Sequence, residues 1–125
     1  MVYSLIFWAL ASVCNACMDT LAHHYYKSIF IKRGNPFDIP WNNFWNPETS
    51  WNNSYIIPGT KWKLDAWHSF KSLMIIFEAL AIMFAWIDYP PFIDSIWFNL
   101  GFLIVIGCIW NLTFNVFYNK LLIRK

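Results

Sequence analysis

The sequence predicts an all-α polytopic membrane protein, with three transmembrane helices and a Trp/Pro-rich interfacial loop in one membrane domain, residues 1–125. Three observations carry that expectation. Hydrophobic residues make up 58% of the chain and charged residues only 13%, about half the charged share of a soluble domain. Three long apolar stretches, residues 2–21, 66–87 and 92–118, each reach the roughly 20 residues that a helix needs to cross a hydrocarbon core of ~30 Å. The charged residues gather between and beyond those stretches. Because lipid offers the backbone no hydrogen-bond partners, each stretch is expected to be helical.

The first span, 2–21, has no Lys or Arg before it, and its polar end runs on through Asn15 to Tyr26 without a small-residue cleavage site. It reads as a retained span rather than a signal peptide. The loop that follows, about 34–64, holds Pro36, Pro40, Pro47 and Pro58, which forbid a long helix. Its aromatic residues set it apart from a disordered linker. Rings with a polar edge prefer the headgroup layer, so Phe37, Trp41, Phe44, Trp45 and Trp51 are expected to lay the loop on the interface, as an anchor or as a lid over the helix ends. Asp65 stands where the second span begins and is a good N-cap. In the third span Gly101, Gly107 and Cys108 form a small-residue face suited to helix contact.

Topology follows from the basic residues. Lys27, Lys32, Arg33, Lys61 and Lys63 flank or occupy the long loop, Lys120, Arg124 and Lys125 end the chain, and the other connection carries Asp88 and Asp94. The positive-inside rule then puts the loop and C-terminus in the cytoplasm and the N-terminus outside, in an inner or plasma membrane. On that side the sequon Asn52-Asn53-Ser54 has no role. The net charge of +2 is explained by topology and anionic lipid, not by nucleic acid. Cys14, Cys17 and Cys108 all fall within spans, which excludes a secreted disulfide framework. The Cys14-x-x-Cys17 pair reads as part of a packing face, since mid-membrane thiols lack the polar setting that redox or metal chemistry needs.

The polar residues supply the functional clues. Asn15, Asp19, His23 and Tyr26 recur on one helical stripe; Asp65, His68, Ser69 and Ser72 share a face at the start of the second span, with Lys71 and Glu78 on an adjoining line. Asn111, Asn115 and Asn119 repeat every four residues in the third. Polar stripes in lipid are expected to face one another. Asp19-x-x-x-His23 and Asp65-x-x-His68 lie at the same membrane face, and carboxylate and imidazole at those spacings can hold one divalent cation. The candidate metal ligands are therefore Asp19, His23, His24, Asp65 and His68, for Zn, Fe or Mn. Glu78 is a candidate proton acceptor. A metal-bound water there would act on a lipid or amphiphilic substrate. Against this stand an N-cap role for Asp65 and snorkelling roles for the histidines. The alternative function is a noncatalytic accessory subunit or transport element. Either reading favours a homo-oligomer or a partner membrane subunit, because three spans enclose little space. A bis-histidine haem would need His24 and His68, and three histidines near one surface leave little choice of axial geometry.

Met18-Asp19-Thr20-Leu21, Phe44-Trp45-Asn46-Pro47, Ser50-Trp51-Asn52 and Asp65-Ala66-Trp67-His68 resemble segments of a group of small bacterial-type integral membrane proteins, over roughly residues 15–75. The resemblance implies no activity, and it matches the histidine of those proteins to His24 rather than His23. Asp19-x-x-x-His23 also looks like one element of the intramembrane hydrolases that include alkaline ceramidases. The three spans are less than half of that family's number, and the rest of its pattern is absent.

Overall fold

A computed structural model describes residues 2–31, 43–50, 55–56, 63–88 and 96–124. It is all-α in its main elements, and three helices are long and apolar enough to cross a membrane: Val2–Lys27, Ala66–Ile87 and Ile96–Leu122.

Helix α1, Val2–His24, contains neither glycine nor proline and runs longer than the apolar stretch alone implies. Asp19 and its neighbours continue the helix rather than end it, and a 3-10 turn, Tyr25–Lys27, follows. Ser28 stops the run. Its backbone is extended and its N–H donates to the Tyr25 carbonyl. Its hydroxyl donates to the same carbonyl at 2.7 Å and accepts from the Phe30 N–H at 3.2 Å. A short helix α2, Pro47–Ser50, begins at Asn46, whose side-chain oxygen accepts the Glu48 N–H at 3.0 Å. Proline in the first turn completes a standard start. Strands β1, Tyr55–Ile56, and β2, Lys63–Leu64, pair antiparallel with Tyr55 opposite Leu64.

Helix α3, Ala66–Asp88, ends where Tyr89-Pro90-Pro91 bars its continuation. Helix α4, Ile96–Val116, passes directly into a π-helical turn, Phe117–Leu122. That turn delivers Leu122 into the core and Ile123 to an antiparallel bridge with Ser28. The Ile29 N–H donates to Leu122 and the Arg124 N–H to Lys27, so the end of the chain is tied to the segment leaving α1.

Helix α1 is the hub. It runs antiparallel to α3, with Phe7 stacked on Phe77 and Phe84 and Tyr3 against Phe84. It runs parallel to α4, where Trp8 Nε1 donates to the Ile106 carbonyl at 3.1 Å and Ser12 Oγ to the Trp110 carbonyl at 2.8 Å. Donors one turn apart thus meet carbonyls one turn apart, which fixes the rotation of α4 in a medium where no water competes for those bonds. The buried face of α1 is built largely of small residues, Ser4, Ala11, Ser12, Cys14, Ala16, Cys17 and Thr20, which let backbones approach closely. Both α1 cysteines are free and buried, as a packing face requires, whereas Cys108 is free and exposed.

The core lies at the loop-bearing end. Ala16, Cys17, Leu21, Tyr25, Phe30, Ala66 and Leu122 form one buried cluster, with Phe44, Trp45 and Phe70 packed on it. Trp45 stacks on Phe30 at 4.9 Å between centroids and Phe44 meets Trp45 edge-on. This much of the aromatic loop therefore caps the bundle. Phe37, Trp41 and Trp51 lie outside the described residues.

The expectation that three polar stripes face one another is not met within one chain. No residue of α4 is buried, and Asn111, Asn115 and Asn119 are exposed. The physical reason is that α1 turns its small residues, not Asn15, Asp19 and His23, toward its neighbours.

Candidate functional site

At the head of α3 the Asp65 carboxylate is buried and fully engaged. Oδ1 accepts the His68 backbone N–H at 2.9 Å, and Oδ2 lies 2.6 Å from His68 Nδ1. The backbone carbonyl of Asp65 takes the Ser69 hydroxyl at 2.7 Å. Asp65 is thus the N-cap and also the orienting partner of an imidazole whose side chain is 63% exposed. A carboxylate partner makes Nδ1 the donor and leaves Nε2 as the free, basic nitrogen. Trp67 stands edge-on to that ring and carries Lys71 Nζ above its face at 5.1 Å. Replacing Asp65 with alanine is expected to cost about 1–2 kcal/mol through loss of the cap. Asparagine keeps the cap but offers Nδ1 an N–H in place of an acceptor, which transfers the imidazole proton to Nε2. Thermal melting and the imidazole 15N shifts of His68 separate the two effects.

The remaining site candidates occupy other places at or below this end. His24 packs its ring on Tyr118 at 5.5 Å. His23 lines a groove of about 380 Å³ with Leu21, Ala22, Tyr25, Tyr26, Pro47 and Glu48, in which the Tyr26 hydroxyl donates to Glu48 Oε2 at 2.7 Å. Asp19 is half-buried. Glu78 lies ten residues beyond His68 along α3, about 15 Å along the helix axis. It lines a second groove, of about 410 Å³, with Trp8, Leu103, Ile106, Gly107, Trp110 and Asn111. Among the described residues no three of His, Cys, Asp and Glu converge as a metal-binding group. The chain brings Asp65 to His68, and it brings both sequence clusters to one end of the bundle, without gathering Asp19, His23, His24, Asp65 and His68 about a single point.

Asn111 and Asn115 of α4, and Asn119 in the π-helical turn that continues it, are held within their own helical run. Asn111 Nδ2 donates to the Gly107 carbonyl at 3.0 Å, Asn115 Nδ2 to the Asn111 carbonyl at 2.8 Å, and Asn119 Nδ2 to Asn115 Oδ1 at 3.1 Å. One N–H of each amide is spent this way, together with Asn115 Oδ1, and all three residues are exposed. Gly101 and Gly107 have open space where a Cβ would stand, so no neighbour within the chain requires glycine there.

Two features of the structure carry no signal in the sequence. The Tyr26–Glu48 bond joins residues 22 apart in sequence, and the Trp8 and Ser12 bonds to α4 span 98. No local motif marks either; only the course of the chain through the loop and the rotation of α4 bring them together. Comparison with protein-family models, curated proteins and solved structures finds no match to this chain.

Proposed function

We propose that this protein is a noncatalytic membrane subunit that works as a homo-oligomer, its copies joined through the asparagine face of α4. The carrying observation is the exposed Asn111–Asn115–Asn119 ladder, which begins on α4, a helix with no buried residue, and ends in the π-helical turn that continues it. Asn111 lies 11 residues before Leu122, some 16 Å from the end of the span, so its amide sits at hydrocarbon depth. Amides carry both donors and acceptors. A second α4 is therefore the simplest surface that satisfies them, and the open space beside Gly101 and Gly107 admits a close approach. Glu78, in a groove that Asn111 also lines, adds a carboxyl at hydrocarbon depth, where an ionisable group calls for a partner. Light scattering in mild detergent is expected to find an oligomer that requires the α4 asparagines; a stable lone monomer overturns the reading. The basic residues of the loop and tail support a reading in which that end lies in the cytoplasm and the N-terminus outside, in an inner or plasma membrane.

A second reading is favoured by the Asp65–His68 pair. Metal-bound imidazoles characteristically donate their other ring N–H to a carboxylate, and His68 is held in that manner. A Zn, Fe or Mn ion acting on a lipid or amphiphile would take His68 Nε2, with Asp19, His23 or His24 supplied by another copy. Both oxygens of Asp65 are engaged, and Glu78 is too distant to serve at His68 in the same chain. On this reading, elemental analysis finds near-stoichiometric metal that both His68→Ala and Asp65→Asn abolish, the latter by placing a proton on Nε2. Metal-free protein removes it.

A further inference from the structure

The groove between the end of α1 and the start of α2 stands apart from the α4 face and from the Asp65–His68 pair, and its chemistry is that of a headgroup site. The geometry points to the binding of an ethanolamine phospholipid, its ammonium at Glu48 and its phosphate at His23.

Five observations converge. The groove, about 380 Å³, has an apolar floor of Leu21, Ala22 and Pro47 and carries ionisable groups of two kinds, His23 and Glu48. Glu48 is positioned rather than loose: its backbone N–H is held by Asn46 Oδ1 at 3.0 Å, and its Oε2 accepts the Tyr26 hydroxyl at 2.7 Å. That leaves Oε1 and the outer lone pair of Oε2 for a further donor. Tyr25 and the exposed Tyr26 also line the groove, and aromatic rings attract a cation. The groove also lies at the right depth. The candidate spans of α1 and α4 end at Lys27 and Leu122, and the two ends are joined by the Ile29–Leu122 backbone bond, so residues 21–26 sit at the boundary where headgroups begin. Lys27, exposed in the turn, adds positive charge near the phosphate position.

A primary ammonium suits this arrangement better than a quaternary one, because an anchored carboxylate is best answered by N–H donors, which choline lacks. A glycerol headgroup brings hydroxyl donors to Glu48 but no positive charge to answer the carboxylate. The apolar floor takes the start of the glycerol and acyl region, which a soluble amine does not possess.

The test is native mass spectrometry of the full chain released from nanodiscs holding equal parts of phosphatidylethanolamine, phosphatidylcholine and phosphatidylglycerol. The ethanolamine lipid is expected to be retained preferentially. Glu48→Gln, which keeps an acceptor for Tyr26 and removes only the charge, is expected to weaken that preference about tenfold with an unchanged circular-dichroism melting curve. His23→Ala is expected to weaken it as well. Retention of the three lipids in proportion to their supply overturns the proposal from the native chain alone, whatever the variants do. A preference that survives Glu48→Gln intact overturns the assignment to this groove. Displacement of the lipid by soluble phosphoethanolamine at equal concentration would show that a free amine, not a lipid, is the ligand.

Discussion

Replacing Ala16 with leucine is expected to destabilise the three-helix arrangement by about 3 kcal/mol. Ala16 is fully buried in the cluster that also holds Cys17, Leu21, Tyr25 and Ala66. An added isobutyl group can fit there only if the helices move apart, which breaks the close backbone approach that small residues permit. Little offsets that loss, because lipid tails are as apolar as the leucine and association in a bilayer rests on packing. Ala16→Gly removes one methyl and is expected to cost about 1 kcal/mol, mostly through backbone freedom. Unfolding titrations in mixed micelles check both. Equal stability of Ala16→Leu and the native chain would mean that this face of α1 is not the packed one.

Removing the α4 amides is the second large effect. Asn111→Leu, Asn115→Leu and Asn119→Leu together are expected to shift the protein from oligomer to monomer, with the helix bundle itself intact. Interhelical hydrogen bonds in membranes contribute on average about 0.6 kcal/mol each, so three lost across a seam come to roughly 2 kcal/mol. That is about a thirtyfold weaker association. Because the asparagines are exposed and, among the described residues, bond only within α4 and the π-helical turn that continues it, the monomer should keep its circular dichroism and its Trp8 and Ser12 anchors. Fluorescence energy transfer between labelled copies, measured against dilution in lipid, reads the shift. An unchanged dilution curve would remove the α4 seam; general loss of helical signal would show that the amides serve the fold of the single chain instead.

The packed face of α1 is only partly legible in its sequence. That α1 packs by small residues is visible in the run Ala11, Ser12, Cys14, Ala16, Cys17 and Thr20. The same stretch carries Asn15, Asp19 and His23 at an equally regular spacing, and periodicity cannot say which stripe turns inward. Size decides: the small residues allow close approach, and Phe7 stacks against Phe77 and Phe84. The polar stripe is left to the side.

From sequence alone come the three spans, their helical state, the cap at Asp65 and the stop before Pro90, since each follows from the hydrocarbon thickness or from backbone chemistry within a few residues. The hairpin fragment of Tyr55 with Leu64 had only Pro58-Gly59 as a turn signal. What the tertiary structure decided is which groups share a place. It put His23 and Glu48 in one groove, set Glu78 in another with Trp110 and Asn111, and left Asn111, Asn115 and Asn119 exposed. Helix rotation about the long axis and the route of a proline-rich loop govern those placements. Both depend on contacts between residues far apart in the chain, to which local hydropathy and spacing are blind.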